Sequence, residues 1–164
     1  MTDESMLLLI RIDFVGYSSL HYVTLCETQS AIRLLIAAGA RMDLRNKFRA
    51  TPLSISVFLS LVAVCEFLLA SGADPNKRYG HAGTALVPAV QRPRGRVPIV
   101  EALLKHGADP NLPGTTCLSY AASRGHDDVV KILLPRVRDL ELKSETGHRH
   151  YMVQLMEVPA PAST

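Results

Sequence analysis

The sequence lacks the features that mark several large classes of protein. Its 164 residues include three cysteines, Cys26, Cys65 and Cys117, and none lies in a CxxC pair, so neither a disulfide framework nor a zinc site is indicated. No apolar stretch approaches the roughly 20 residues that span a bilayer. The start of the chain has acidic residues where a signal peptide needs basic ones. We therefore expect an intracellular protein, cytoplasmic or nuclear, with reduced thiols.

The sequence also has little net charge and no phosphate-binding loop. The formal charge of +3 is too small to argue for nucleic acid, and no glycine-rich loop follows a strand. Apolar residues make up 48% of the chain and charged residues 20%, which is ordinary for a folded protein of one domain. These absences predict no metal, no cofactor, and neither nucleic acid nor membrane as a partner.

An internal repeat is the strongest positive feature of the chain. The letters GADPN occur at residues 72–76 and again at 107–111, and each time two residues separate them from a preceding pair of leucines. Four leucines at equivalent positions are separated by 33, 33 and 32 residues: Leu20, Leu53, Leu86 and Leu118. A period of this length indicates a solenoid, in which each unit buries its apolar face against its neighbours.

The repeat resembles the ankyrin repeat, which has a period of about 33 residues and the signature T-P-L-H-x-A. The resemblance covers about residues 13–139 and implies an all-α solenoid of stacked helix-turn-helix units with turn or hairpin connections. The matching triplets are Thr51-Pro52-Leu53, Thr84-Ala85-Leu86 and Thr116-Cys117-Leu118, with Ser18-Ser19-Leu20-His21 as a looser copy.

Residues typical of helix ends recur with the same period. A hydroxyl can accept from the free N–H groups of a first helical turn, and glycine can close a helix in a left-handed conformation. We expect Pro88 to shorten or kink the first helix of the third repeat, and Pro98 to start its second helix. The predicted N-terminal hydroxyls are Ser18, Thr51, Thr84 and Thr116, and the predicted closing glycines are Gly39, Gly72 and Gly107.

The repeat divides the chain into segments with different expected roles. Residues 1–12 form an N-terminal capping segment, and residues 13–142 form the repeat domain. Residues 143–158 keep the register of a partial fifth repeat that caps the other end, and residues 159–164 form a disordered tail. The alternative explanation of the incomplete fifth repeat is that the sequence is a truncated form of a longer protein. The four repeats lie near residues 13–45, 46–78, 79–110 and 111–142.

The resemblance also implies where a partner binds. In the ankyrin family, partners contact the turn tips and the exposed inner face of the first helix of each repeat. Carried over to this chain, those positions are apolar in the first half and basic in the second. The alternatives are that the N-terminal segment covers the apolar side chains and that the arginines only solvate a loop. The candidate binding residues are Phe14, Tyr17, Phe48, Phe58, Leu59, Arg92, Arg94 and Arg124.

The favoured function is a non-enzymatic module that binds another protein through the concave surface, as a monomer or weak homodimer. The alternative is a small enzyme or ligand-binding protein, possibly dimeric, with His21, Tyr22 or Cys26 in a pocket near the first repeats. An enclosed cavity lined by such groups would favour the alternative, and an open groove the interaction module. A structural or regulatory fragment of a longer protein is a third possibility.

Overall fold

A computed structural model describes residues 13–78, 83–91, 96–112 and 117–138. The predicted capping segment 1–12, partial fifth repeat 143–158 and tail 159–164 lie outside these ranges. The described residues form eight α-helices and a short 3₁₀ helix, Leu134–Arg136, and the all-α prediction is confirmed. The α-helices are α1 Ser19–Leu25, α2 Gln29–Ala37, α3 Pro52–Phe58, α4 Val62–Ala70, α5 Leu86–Gln91, α6 Arg96–Lys105, α7 Cys117–Ser123 and α8 Asp127–Leu133.

The helices pair along the chain and then stack in single file. Each odd-numbered helix packs against the even-numbered helix that follows it. The first helices of successive repeats also contact one another in the order α1, α3, α5, α7, and the second helices in the order α4, α6, α8. Every unit therefore buries its apolar face against its neighbours, as a solenoid requires.

The periodic leucines lie in the core of this stack. Leu20, Leu53, Leu86 and Leu118 expose between 0% and 4% of their surface. The second helices α4 and α6 contribute further buried side chains, among them Leu68 on α4 and Leu103 on α6, both 0% exposed. The core is therefore a continuous strip that runs along the stack between the two layers of helices.

The second repeat shows why its first helix begins where it does. Thr51 is the N-cap residue of α3, and its Oγ1 accepts from the backbone N–H of Ser54 at 3.2 Å. In return, the N–H of Thr51 donates to Oγ of Ser54 at 2.8 Å. Pro52 occupies the first helical position, where the missing N–H has no intrahelical partner to lose.

Glycine ends the second helix of three repeats, as predicted. Gly39, Gly72 and Gly107 have φ values of 88°, 99° and 87°. After each of them, the next backbone N–H returns to a carbonyl in the last helical turn, as in Ala73 to Leu68 at 3.0 Å. The fourth repeat has no such glycine, and after α8 its chain instead tightens into the 3₁₀ turn Leu134–Arg136.

The asparagines of the two GADPN segments join successive repeats. The side-chain amide of Asn76 donates to the carbonyl of Gly107 at 2.9 Å, and its Oδ1 accepts from the N–H of Asp109 at 2.8 Å. Asn111 makes the same pair of bonds to the backbone of Arg136 and Arg138. Each asparagine thus satisfies backbone groups of the segment that follows the next second helix, after α6 for Asn76 and after α8 for Asn111.

The third repeat departs from the sequence predictions at its helix starts. The prediction that Thr84 caps a helix through its hydroxyl is wrong, because α5 begins at Leu86 and Oγ1 of Thr84 is buried with no partner among the described residues. Helix α6 begins at Arg96, so Pro98 lies inside the first turn, where its lack of an N–H is still tolerated. With Pro88 inside it, α5 has only six residues, fewer than any other described α-helix.

Candidate protein-interaction surface

The turn tips of the first two repeats lie side by side. The N–H of Lys47 in the second tip donates to the carbonyl of Val15 in the first at 3.0 Å. Gly16 permits this approach, since a Cβ at its position would lie 3.0 Å from the N of Lys47 and 3.1 Å from Cα of Asn46. The contact leaves Phe14 and Phe48 exposed on neighbouring tips, by 85% and 68%. Two phenyl rings therefore project from one edge of the stack.

Each of these tips is held by an acid or amide side chain at its first residue. Oδ1 of Asp13 accepts from the N–H groups of Val15 at 2.9 Å and Tyr17 at 2.7 Å. Asn46, at the equivalent position of the second repeat, accepts from the N–H of Ala50 at 2.9 Å. The tips are therefore ordered before any partner binds, which reduces the entropy lost on association.

Tyr17 lies behind the tip in a cluster of rings. It is half-buried, and its ring centroid is 5.5 Å from those of His21 and Tyr22. Tyr22 is 48% exposed, and its hydroxyl donates to Oδ2 of Asp13. This bond is the main reason that the pKa of Asp13 is lowered and the pKa of Tyr22 is raised. Tyr22 was predicted as a pocket residue of the enzymatic alternative but not as part of the interaction surface, although it lies one residue after His21 in the signature motif.

A second exposed apolar group lies at the far ends of the first helices. Phe58 and Leu59, at the end of α3, are 56% and 43% exposed. Leu25 and Cys26 occupy the equivalent positions at the end of α1 and are also exposed. Residues 51–57 between the second tip and this group are buried. The structure therefore places the predicted apolar residues in two groups, the tip group with Phe14 and Phe48 and the helix-end group with Phe58 and Leu59.

Of the predicted arginines, Arg124 lies within the described residues, in the fourth repeat. Arg124 follows α7 in the fourth repeat, is exposed, and has its guanidinium carbon 5.4 Å from the ring centroid of Tyr120. Arg92 and Arg94 lie outside the described residues. Arg124 is in register with Leu59 and Cys26, so it extends the row of helix ends with a polar group.

His21 is fully buried, and both of its ring nitrogens are occupied. Nδ1 lies 2.7 Å from Oγ of Ser18 and accepts from the backbone N–H of Ser18 at 3.1 Å. Because Nδ1 is the acceptor, Nε2 carries the proton and donates to the carbonyl of Ala50 in the next repeat at 3.1 Å. The ring thus connects two turns, and loss of solvation by burial lowers its pKa, against smaller opposing effects of two backbone carbonyls and Asp13.

We expect His21 to make folding stability sensitive to acid. Because its pKa in the folded chain lies below the 6.5 of an unperturbed histidine, the unfolded chain binds more protons as pH falls from about 7. The equilibrium constant for folding then falls by up to about tenfold per pH unit. Thermal unfolding of the wild type and His21→Gln between about pH 7.5 and 5.5 measures this effect. The difference in free energy of unfolding between the wild type and His21→Gln should become smaller as the pH falls. A difference that stays constant would contradict the prediction.

A shallow groove of about 390 Å³ lies between α4 and α6, away from His21. Glu66, Glu101, Lys105 and His106 contribute its polar lining. The described part of the chain brings together no group of three or more His, Cys, Asp or Glu that could hold a metal ion. Cys65 and Cys117 are buried, which raises the pKa of each thiol to about 12, whereas Cys26 is exposed. Within the described ranges, no helix is long and apolar enough to cross a membrane.

The stacked helix pairs with glycine-closed second helices define a helical-repeat protein. The family model for ankyrin repeats (three copies) matches residues 80–144. An ankyrin repeat domain from Acinetobacter baumannii AYE superposes with a TM-score of 0.73 and 27% identity, covering 80% of this chain and 73% of that one. Together with the curated relatives below, these matches show that the chain is an ankyrin-repeat protein.

Two curated proteins are similar in sequence to this chain. The chain is 26% identical to human B-cell lymphoma 3 protein over 159 residues, which cover 90% of this chain and 34% of that protein. It is 33% identical to alpha-latrocrustotoxin-Lt1a of Latrodectus tredecimguttatus over 101 residues, covering 59% of this chain and 7% of the toxin. The chain therefore spans about a third or less of the length of these relatives.

Proposed function

We propose that this chain is a non-enzymatic module that binds a partner protein through the concave surface of its repeat stack. Ankyrin repeats are generally protein-interaction modules. The observation that carries the proposal here is the exposure of large apolar side chains on ordered elements. Phe14, Phe48 and Phe58 expose 85%, 68% and 56% of their surfaces, and exposed aromatic side chains that cluster are typical anchors of protein interfaces.

The predicted residues take different roles in this proposal. Phe14 and Phe48 act as anchors at the tips, and Phe58 and Leu59 as anchors at the helix ends. Tyr17 supports the first tip from behind, because it is half-buried against His21 and Tyr22. The three arginines Arg92, Arg94 and Arg124 supply polar contacts at the other half of the stack, where charged groups chiefly increase the association rate.

The geometry of His21 does not favour the enzymatic alternative. A general base must reach the proton that it abstracts, but both nitrogens of this ring already bond to Ser18 and Ala50 in the interior. Cys26 is exposed, and no hydrogen bond joins it to His21 in the described structure. The cysteines are all free, which suits the proposed intracellular setting.

The test begins with affinity purification of partners from the native source and identification by mass spectrometry. Dissociation constants are then measured with the purified partner for the wild type and for Phe48→Ala/Phe58→Ala. Loss of two central aromatic anchors should weaken binding at least about thirtyfold, equivalent to about 2 kcal/mol. Both side chains are exposed, so thermal unfolding should change little.

Leu34→Ala is the matched control for this experiment. Leu34 is 71% exposed but lies on α2, a second helix, away from both proposed groups of anchors. Its removal should change affinity by no more than about twofold, as for an exposed residue outside the contact. Equal affinities of the wild type and the double variant would contradict the anchor assignment.

A further inference from the structure

One loop carries all of the chain's net charge. Residues 40–50, the basic loop, contain Arg41, Arg45, Lys47 and Arg49 but a single acid, Asp43. The remainder of the chain has fourteen residues of each sign, so the formal charge of +3 resides in these eleven residues. The loop connects α2 to α3 and includes the second turn tip, so this charge is concentrated at the edge where Phe14 and Phe48 project.

Within the described residues, the cations of the basic loop remain open to an external ligand. All four side chains are exposed, and the structure pairs none of them with an acid among the described residues. Asp43 turns to the next repeat, where its Oδ1 accepts from the N–H of Asp74 at 3.3 Å. Asp13, in the neighbouring tip, is occupied by two backbone N–H groups and the hydroxyl of Tyr22. These bonds hold both carboxylates within the fold, and neither forms an ion pair with a cation of the basic loop in the described structure.

The basic loop and the anchors together fit a ligand that is both acidic and apolar. Phe48 lies between Lys47 and Arg49 in the sequence. When an apolar side chain of a bound peptide contacts the Phe48 ring, carboxylates on the neighbouring residues of that peptide lie beside the two cations. Helix α3, with seven residues, is about 10 Å long, and Phe58 and Leu59 lie at the end of it that is farther from this tip. A flat bilayer that touches the tips does not reach that second group, whereas an extended peptide advances about 3.3 Å per residue and can contact both.

We propose that the basic loop recognises an acidic peptide segment with a central apolar residue, carried by the partner protein. This inference rests on the proposed function and specifies the chemistry of its partner. Arginine holds carboxylates through paired N–H donors, and the exposed charge should act mainly by steering and orienting the peptide. Binding should accordingly weaken as salt shortens the range of these interactions.

The test uses a fluorescein-labelled peptide of about twelve residues, long enough to extend from the tip to the helix ends. Glutamates flank a central leucine–phenylalanine pair, and a matched probe has glutamine in place of every glutamate. Fluorescence anisotropy should show saturable binding of the acidic probe, with affinity falling between about 0.05 and 0.5 M salt. The glutamine probe should bind at least about tenfold more weakly.

Charge reversal identifies the loop as the site. Arg45→Glu/Lys47→Glu should weaken binding of the acidic probe at least about tenfold. Lys105→Glu/Lys131→Glu alters the net charge equally at exposed sites on α6 and α8, and it should change affinity by no more than about twofold. Arg49 is left unchanged because its φ of 61° would add a conformational effect to any substitution.

Several results would overturn the inference without affecting the proposed function. Equal binding of the two probes, no binding of the acidic probe, or equal effects of the two charge reversals would each do so. Tighter binding of phosphatidylserine vesicles or of an oligonucleotide would also refute it. If the native partner depends on Phe48 and Phe58 but not on Arg45 and Lys47, the interaction module stands and the acidic-peptide inference falls.

Discussion

Replacing Gly16 with alanine is expected to lower the free energy of unfolding by about 2–4 kcal/mol. Gly16 has a φ of 82°, which an L-residue adopts only with strain. An added Cβ would also lie 3.0 Å from the N of Lys47 and 3.1 Å from Cα of Asn46, both backbone atoms. Neither can move without separating the two turn tips, so the conformational and steric costs add. Urea unfolding followed by circular dichroism measures the effect.

Gly39→Ala separates the two contributions to this prediction. Gly39 has a similar φ of 88°, but nothing lies within 4 Å of a Cβ added there. Its replacement should therefore cost only the conformational strain, about 1–2 kcal/mol. Equal losses in the two variants would show that the turn tips separate freely and that their contact at Gly16 contributes no stability.

The period of the sequence predicts the fold because burial follows it directly. The four leucines spaced at 33 or 32 residues are all buried, and the three predicted glycines all adopt positive φ values after their helices. These features are local: one position in each repeat must be apolar, and another must turn the chain in the left-handed conformation. A single sequence therefore shows them without any knowledge of long-range contacts.

The surface depends on contacts that the period does not encode. The sequence alone does not reveal that Tyr22 bonds to Asp13, nor that residues 51–57 are buried between two exposed apolar groups. The concentration of charge in residues 40–50 can be read from composition, yet its significance depends on the neighbouring tip. That neighbour is fixed by the hydrogen bond from Lys47 to Val15, which joins residues one repeat apart.

The third repeat illustrates how packing overrides a local helix signal. Its Thr84 matches the capping threonine of the second repeat, Thr51, but the serine that completes that cap, Ser54, is replaced by Val87. Without a side-chain acceptor at this position, the bond that the N–H of Thr51 donates to Ser54 has no equivalent, and the N–H of Val87 donates to the backbone carbonyl of Thr84 at 3.2 Å rather than to its hydroxyl. The helix start then depends on the burial of Leu86 and Val87 rather than on the cap.

Leu68→Ala is expected to be the most destabilising substitution in the core, at about 3–5 kcal/mol. Leu68 is fully buried on α4, which packs against both α3 of its own repeat and α6 of the next. Because the stability of a solenoid depends on contacts between neighbouring repeats, the cavity should weaken the second repeat and its junction with the third. Leu34→Ala, at a 71% exposed leucine on α2, should change stability by less than about 0.5 kcal/mol. Urea unfolding monitored at several wavelengths tests both values. If Leu68→Ala lowers the free energy of unfolding no more than Leu34→Ala does, α4 is not held between its two neighbours. The helices then do not pack in single file, and both proposed groups of anchors lose the structure that positions them.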